Sequence, residues 1–191
     1  MSEAAGSDGD DRQLQRSLLR RVVYDVCRRA ALALFIVFYK TRVVNKEAMP
    51  QSGALLVVAN HQSFFDPPLA GGWTPRQLAF LARAGLFKFP PLGWLISTLN
   101  SVPVSGDGSD AAAIRTILAE LKRGRAVMIF PEGSRTFDGA LGEFQRGVAL
   151  LVKKAKCPVL PVAIEGAFDA WPRTKKLPSL FGKRLAVQFG E

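Results

Sequence analysis

Residues 54–68 read ALLVVANHQSFFDPP, and their pattern changes at Asn60. Ala54 to Ala59 form an unbroken apolar run of buried-strand length, set off upstream by the turn residues Pro50-Gln51-Ser52-Gly53. Downstream, Ser63 and Asp66 have the spacing of a capping box, and Pro67 is tolerated so close to a helix start. The arrangement repeats along the chain. Strand-like runs fall at 78–82, 101–104, 126–130, 159–164 and 185–189, with helical patterns starting near residue 63 and at 91–99, 110–121 and 146–154. Alternation of this kind, with strands too apolar to leave a wet face, predicts an α/β fold: a largely parallel sheet flanked by helices on both faces. Ligands of such sheets gather beyond the carboxyl ends of the strands, so the residues after Ala59 and those after Phe130 should share one rim.

The chain has 191 residues, 48% of them apolar, which suffices for one full hydrophobic core. Residues 1–11 carry four acids and no base and read as a disordered acidic tail. Residues 12–48 reverse the balance. Leu14, Leu18, Leu19, Val22, Val23, Val26, Cys27 and Ala30 recur at helical spacing, while Arg16, Arg20, Arg21, Arg28 and Arg29 fill the positions between them. The apolar continuation AALALFIVFY, residues 30–39, is only ten residues long, well short of the ~20 that a spanning helix needs. It starts late and is followed by no small-residue cleavage site, unlike a signal peptide. The segment therefore reads as a pair of basic amphipathic helices lying on a lipid surface; packing onto the domain as a core helix is the alternative. Residues 49–191 form the main domain.

A net charge of +10 calls for an anionic partner. The bases cluster on an amphipathic helix and no aromatic stacking platform accompanies them, which favours a membrane surface and excludes nucleic acid. Cys27 and Cys157 match no metal-ligand spacing, and with one histidine in the chain no metal site is expected. The two thiols read as buried and reduced.

That one histidine is His61. Placed ahead of the helix, it can fold back towards Asp66, and a carboxylate on one ring nitrogen fixes the tautomer and aims the other nitrogen outward as a general base. The bland reading is that Asp66 only caps the helix. Phe130-Pro131-Glu132-Gly133-Ser134-Arg135 follows another buried strand. Gly133 permits close backbone approach, Ser134 offers a hydroxyl and Arg135 a planar donor fork, together a phosphate cradle; Pro-Glu-Gly-Ser is also ordinary turn chemistry.

Taken in order, NHQSFFDP, FPEGSR and Pro158-Val159-Leu160-Pro161-Val162 resemble the glycerolipid acyltransferases, the 1-acylglycerol-3-phosphate acyltransferases and their relatives. The resemblance covers roughly residue 50 to the C-terminus. It implies transfer of an acyl chain from acyl-CoA or acyl-carrier protein to a hydroxyl of a lysophospholipid, at the cytoplasmic face of a membrane and without a cofactor. It further implies that His61 is the base and Asp66 its partner, that Glu132, Gly133, Ser134 and Arg135 bind the acceptor, and that Pro161 shapes the donor site. In one place the chain departs from the family pattern: the arginine often found after the third of these strands is absent, and Ser105-Gly106-Asp107-Gly108 stand there instead. Arg83, in LARAGLFKFPP, is the candidate to supply the lost charge. The stretch LFKFPPLGWLI, residues 86–96, suits an acyl groove or a membrane contact, or simply core. Ser63 is assigned to the helix cap rather than to covalent catalysis.

Two rivals remain. Gly106-x-Gly108-x-x-Ala111 mimics a dinucleotide fingerprint and an oxidoreductase, but Asp107 and Asp110 would repel a pyrophosphate. A non-catalytic lipid-surface binder is the other.

Overall fold

The computed structural model describes the backbone of residues 4–104 and 110–190 and the side chains of residues 18–104 and 111–190. One long helix, α1 (Ala4–Tyr39), leads into a sheet of seven strands: β1 (Arg42–Val44), β2 (Leu55–Ala59), β3 (Leu78–Arg83), β4 (Ser101–Val104), β5 (Ala126–Ile129), β6 (Val159–Glu165) and β7 (Ala186–Phe189). The connecting helices are α2 (Asp66–Trp73), α3 (Pro90–Thr98), α4 (Asp110–Lys122), α5 (Gly147–Ala155) and α6 (Ala167–Ala170).

The strand order is β1-β7-β6-β2-β5-β3-β4. Every neighbouring pair is parallel except β6 and β7, which run antiparallel. The apolar run at 55–59 occupies the centre because, having no polar face, it must be covered on both sides; Leu55, Leu56, Val57 and Ala59 are all buried. Leu55 and Val57 face a core shared with Phe35 and Tyr39 of α1 and Leu69 and Ala70 of α2. Leu56 faces the opposite way, towards Ile117 and Leu121 of α4 and Leu151 of α5.

Three expectations need correction. The basic segment is one continuous helix rather than a pair. It starts at Ala4, inside the acidic stretch that composition assigns to a tail. It is also partly a core helix: Tyr24, Phe35 and Tyr39 are buried, and Arg28 donates to the carbonyls of Gly72 (2.9 Å) and Thr74 (2.6 Å) at the end of α2. Next, β1 pairs with β7, so the boundary expected near residue 49 does not separate the sheet from what precedes it. Last, not every strand is covered twice. Alternate residues of β6 are exposed, Val159, Pro161, Ala163 and Glu165, so this strand has an open face. Cys27 and Cys157 are free and half-buried. The Gly106–Gly108 fingerprint lies outside the described residues.

The turn from β6 into α6 depends on Gly166. Its φ is +74°, and a Cβ there would collide with the carbonyl oxygen of Arg184. Gly166→Ala is therefore expected to lower stability by roughly 2–4 kcal/mol, through left-handed strain and the backbone clash together. Urea unfolding measures this directly, and a midpoint equal to the parent's would show that the turn has no such constraint.

Candidate active site

The centre forms where β2 and β5 end side by side. Asn60 leaves β2 by copying a strand with its side chain: Oδ1 accepts from the N–H of Ile164 (2.7 Å) and Nδ2 donates to the same residue's carbonyl (2.8 Å). This fixes the exit of β2 against β6. The next residues then curl around one oxygen. Asp66 Oδ2 lies 2.7 Å from His61 Nδ1 and accepts from the N–H groups of Gln62 (2.6 Å) and Ser63 (2.7 Å). Ser63 Oγ accepts from the N–H of Phe65 (3.1 Å) and donates to the carbonyl of Trp171 (2.8 Å). Ser63 thus closes the turn before α2 but is not the helix cap expected of it: regular helix begins at Asp66, Phe65 stands at the N-cap, and no side chain caps it.

Asp66 is fully buried, and Oδ1 has no hydrogen-bond partner. Burial pushes its carboxyl above the usual carboxylate range, against the three donors that favour the charged form. His61, by contrast, is partly open, with its ring stacked on Phe130 at 3.9 Å and 15°. With Nδ1 donating to Asp66, the imidazole presents Nε2 with a free lone pair.

Glu132 is placed differently from a substrate ligand. Oε1 accepts from the N–H of His61 (2.6 Å) and Oε2 from the N–H of Gly142 (2.9 Å). Its carboxylate is buried and clamps the backbone of the histidine loop to the 132–145 loop. The N–H of Thr136 donates to the carbonyl of His61 (2.9 Å), and Gln145 Nε2 to that of Glu132 (3.2 Å), completing the clamp. Gly133 takes φ +71°, with Gln145 packed where a Cβ would begin to crowd. Ser134 is exposed and, with Arg135, Phe137 and Leu141, lines a cavity of about 440 Å³.

Arg135 lies flat over Phe64, its guanidinium carbon 3.4 Å from the ring centre. Its Nη1 is buried without a partner. Burial and the neighbouring charges of Arg173 and Arg83 hold its pKa below the ordinary arginine value, while Asp66 opposes them. Arg83 ends β3, exposed, close enough for its charge to act on Arg135. Pro161 does not join the group: it sits in mid-strand on the open face of β6, in register with Val58, against Gly190. The position after β4 where the family arginine is absent lies outside the described residues.

Sequence reasoning missed Asn60, Phe130, Thr136, Gln145 and Arg173. Asn60 and Phe130 were within reach, since both border the motifs. Gln145 and Arg173 come from distant loops and carry no local signal.

The protein family model described as Acyltransferase matches residues 40–165. The chain is 34% identical over 140 residues to a chloroplastic 1-acyl-sn-glycerol-3-phosphate acyltransferase of Brassica napus, a match covering 71% of this chain and 40% of that protein. It is 37% identical over 119 residues to a lyso-ornithine lipid O-acyltransferase of Pseudomonas aeruginosa, covering 62% of this chain and 45% of that one. The crystal structure of the 1-acyl-sn-glycerophosphate acyltransferase PlsC from Thermotoga maritima superposes with a TM-score of 0.76 at 30% identity, covering 93% of this chain and 75% of that one. The chain thus spans about 40% of the length of the plant relative. The family match takes in the strand that delivers His61, the buried acid beside it and the loop that carries Arg135: the chain belongs to the acyltransferase family.

Proposed function

We propose that the protein moves a fatty acyl chain from an acyl-CoA or acyl-carrier-protein thioester to a hydroxyl of lysophosphatidate or a related lysophospholipid. The observation that carries this is the 2.7 Å contact between His61 Nδ1 and a buried Asp66 on the same rim as Arg135. The acceptor hydroxyl attacks the thioester carbonyl carbon as His61 Nε2 takes its proton. The C–S bond then breaks, and the departing thiolate recovers that proton from the imidazolium. Asp66 orients the ring and stabilises its charged form. Arg135, with Arg83 near it, holds the acceptor phosphate, and Ser134 lines the same cavity. Glu132 supports the site as a clamp, and Gly133 by its turn. No step requires a cofactor.

The reaction takes place at a membrane, at its cytoplasmic face. No described helix is long and apolar enough to cross a bilayer. The face of α1 turned away from the domain nevertheless carries exposed Leu18, Leu19, Val22, Val26, Ile36 and Val37, broken by Arg29. Leu86, Phe89 and Trp94 around α3 add exposed apolar surface, so the 86–96 stretch supports a membrane or acyl-chain contact better than core. An apolar stripe on a basic helix suits a lipid interface.

His61→Ala is expected to lower acyl transfer roughly 10²–10⁴-fold. Labelled acyl-CoA and acyl-carrier protein, offered with a panel of lysolipid acceptors, measure it; transfer unaffected by the substitution excludes this mechanism. Asp66→Asn should lose activity through misoriented imidazole, yet alter stability in a defined way. Because the folded pKa of Asp66 is raised, the folded chain holds this proton more tightly than the unfolded chain. Its contribution is therefore favourable below the ordinary aspartate range and is lost as pH rises through the raised folded pKa. Parent stability relative to Asp66→Asn should decline with pH across that window; a constant difference would contradict the assignment. Finally, Val22→Glu with Val26→Glu should weaken binding to phospholipid vesicles about tenfold or more while leaving the fold intact, as circular dichroism would report. Unchanged vesicle binding would remove α1 as the lipid contact.

A further inference from the structure

Arg135 feels the charges of two other guanidinium groups. Arg135 comes from the loop after β5, Arg83 from the end of β3, and Arg173 from the segment after α6. Arg173 Nη1 donates to the carbonyl of Arg135 (2.9 Å), and its guanidinium carbon stands 3.9 Å over the ring of Phe137, just as that of Arg135 stands over Phe64. The like charges are thus held in place by aromatic faces and a carbonyl rather than by acids. Among the described residues neither Arg135 nor Arg173 forms an ion pair. The one carboxylate that attracts Arg135 is Asp66, and its Oδ2 is committed to His61 and two N–H groups. Glu132 is spent on the backbone. Arg135 Nη1 remains a buried donor with nothing to receive it.

A fixed cluster of cations with an unsatisfied buried donor is a site awaiting an anion. Taking Arg135 as the phosphate ligand of the proposed reaction, we propose that Arg173 is a specificity-determining residue that reads the second negative charge of a phosphate monoester. A monoester carries nearly two charges above its second ionisation and offers three oxygens, whereas a diester carries one charge and two free oxygens. Coulomb attraction scales with ligand charge, so a second guanidinium favours the monoester over the diester. Phe137 and the Arg135 carbonyl hold Arg173 ready, so little ordering is left for the moment of binding.

The test uses the full chain in zwitterionic micelles containing either lysophosphatidate or lysophosphatidylglycerol, with acyl-CoA as donor. For Arg173→Gln, KM for lysophosphatidate should rise about tenfold with kcat within about twofold, while KM for lysophosphatidylglycerol moves less than about twofold. Arg173→Lys should recover part of the loss, because it restores the charge without the fork. Preference for the monoester should shrink below about pH 6 in the parent, as the phosphate gains its second proton, and be nearly independent of pH in Arg173→Gln. A rise in KM that is equal for both acceptors, or a fall in kcat shared by both, would mean that Arg173 merely supports the loop, and would overturn the proposal. A parent that acylates neither acceptor removes the acyltransferase reading instead. The Arg173 assignment is then decided by titrating glycerol 3-phosphate into the parent and Arg173→Gln: weaker binding by the variant upholds it, and equal binding ends it.

Discussion

The active centre depends on how many donors one carboxylate oxygen can gather. Asp66 Oδ2 receives the N–H groups of Gln62 and Ser63 and the ring of His61 within 2.7 Å. The two backbone bonds bend the chain into a tight curl, and the curl returns the histidine to the acid that organises it. Burying a charge is costly unless it is hydrogen-bonded, and here the bonds that offset the cost also build the geometry. The same oxygen therefore serves folding and chemistry. Burial keeps the carboxyl pKa high, and its other oxygen, Oδ1, has no donor to oppose that. A carboxylate more fully satisfied would be more stable as an anion but would polarise the imidazole less.

A second buried acid prevents the curl from unwinding. Glu132 binds the backbone N–H of His61 from the neighbouring strand end, and Thr136 binds its carbonyl. His61 is thus anchored by both of its backbone polar groups to the loop that carries Arg135. The distance between base and cation is set by this mutual clamp rather than by either strand alone. Both acids face inward to organise the chain, which leaves the arginines uncompensated at the rim. The positive charge at this rim follows from how the interior uses its carboxylates.

How much of this was legible in the sequence depended on range. The strand at 55–59 and the turn into the helix at Asp66 were readable because burial on both faces leaves an unbroken apolar run, and the Ser63–Asp66 pattern is complete within four residues, although Phe65 rather than Ser63 stands at the N-cap. The His61–Asp66 contact was likewise local, five residues apart. Strand β1 was not legible: three residues carry no period, and their pairing with β7 joins residues some 144 positions apart. Reversal of β7 against β6 also depends on the turn at Gly166 and has no signature in the strand itself. Glu132 looked like a ligand because it stands in one block with Gly133, Ser134 and Arg135, but the sequence cannot say which way a carboxylate points. Arg173 was hidden for the opposite reason: it sits in WPRTKK, among bases that read as solvated surface.

Helix α1 presented the hardest case because its two faces answer to different surroundings. Its inner face packs Phe35 and Tyr39 against Phe65, each with ring centres 5.3 Å apart, and Phe65 is the residue immediately before Asp66. Phe65 in turn meets Trp171, whose carbonyl receives the Ser63 hydroxyl. The aromatic cluster therefore joins the helix to the turn that holds His61 and Asp66. Sequence periodicity recorded a single apolar stripe and a basic remainder, which suits a helix lying free on a lipid surface. The structure shows instead a helix apolar on opposite sides, with Tyr24, Phe35 and Tyr39 turned inward and Val22, Val26 and Val37 outward. A helix that only touched lipid could be displaced without consequence for the centre. One that shares its core with Phe65 cannot, because its inner aromatic residues also pack the turn that leads to Asp66.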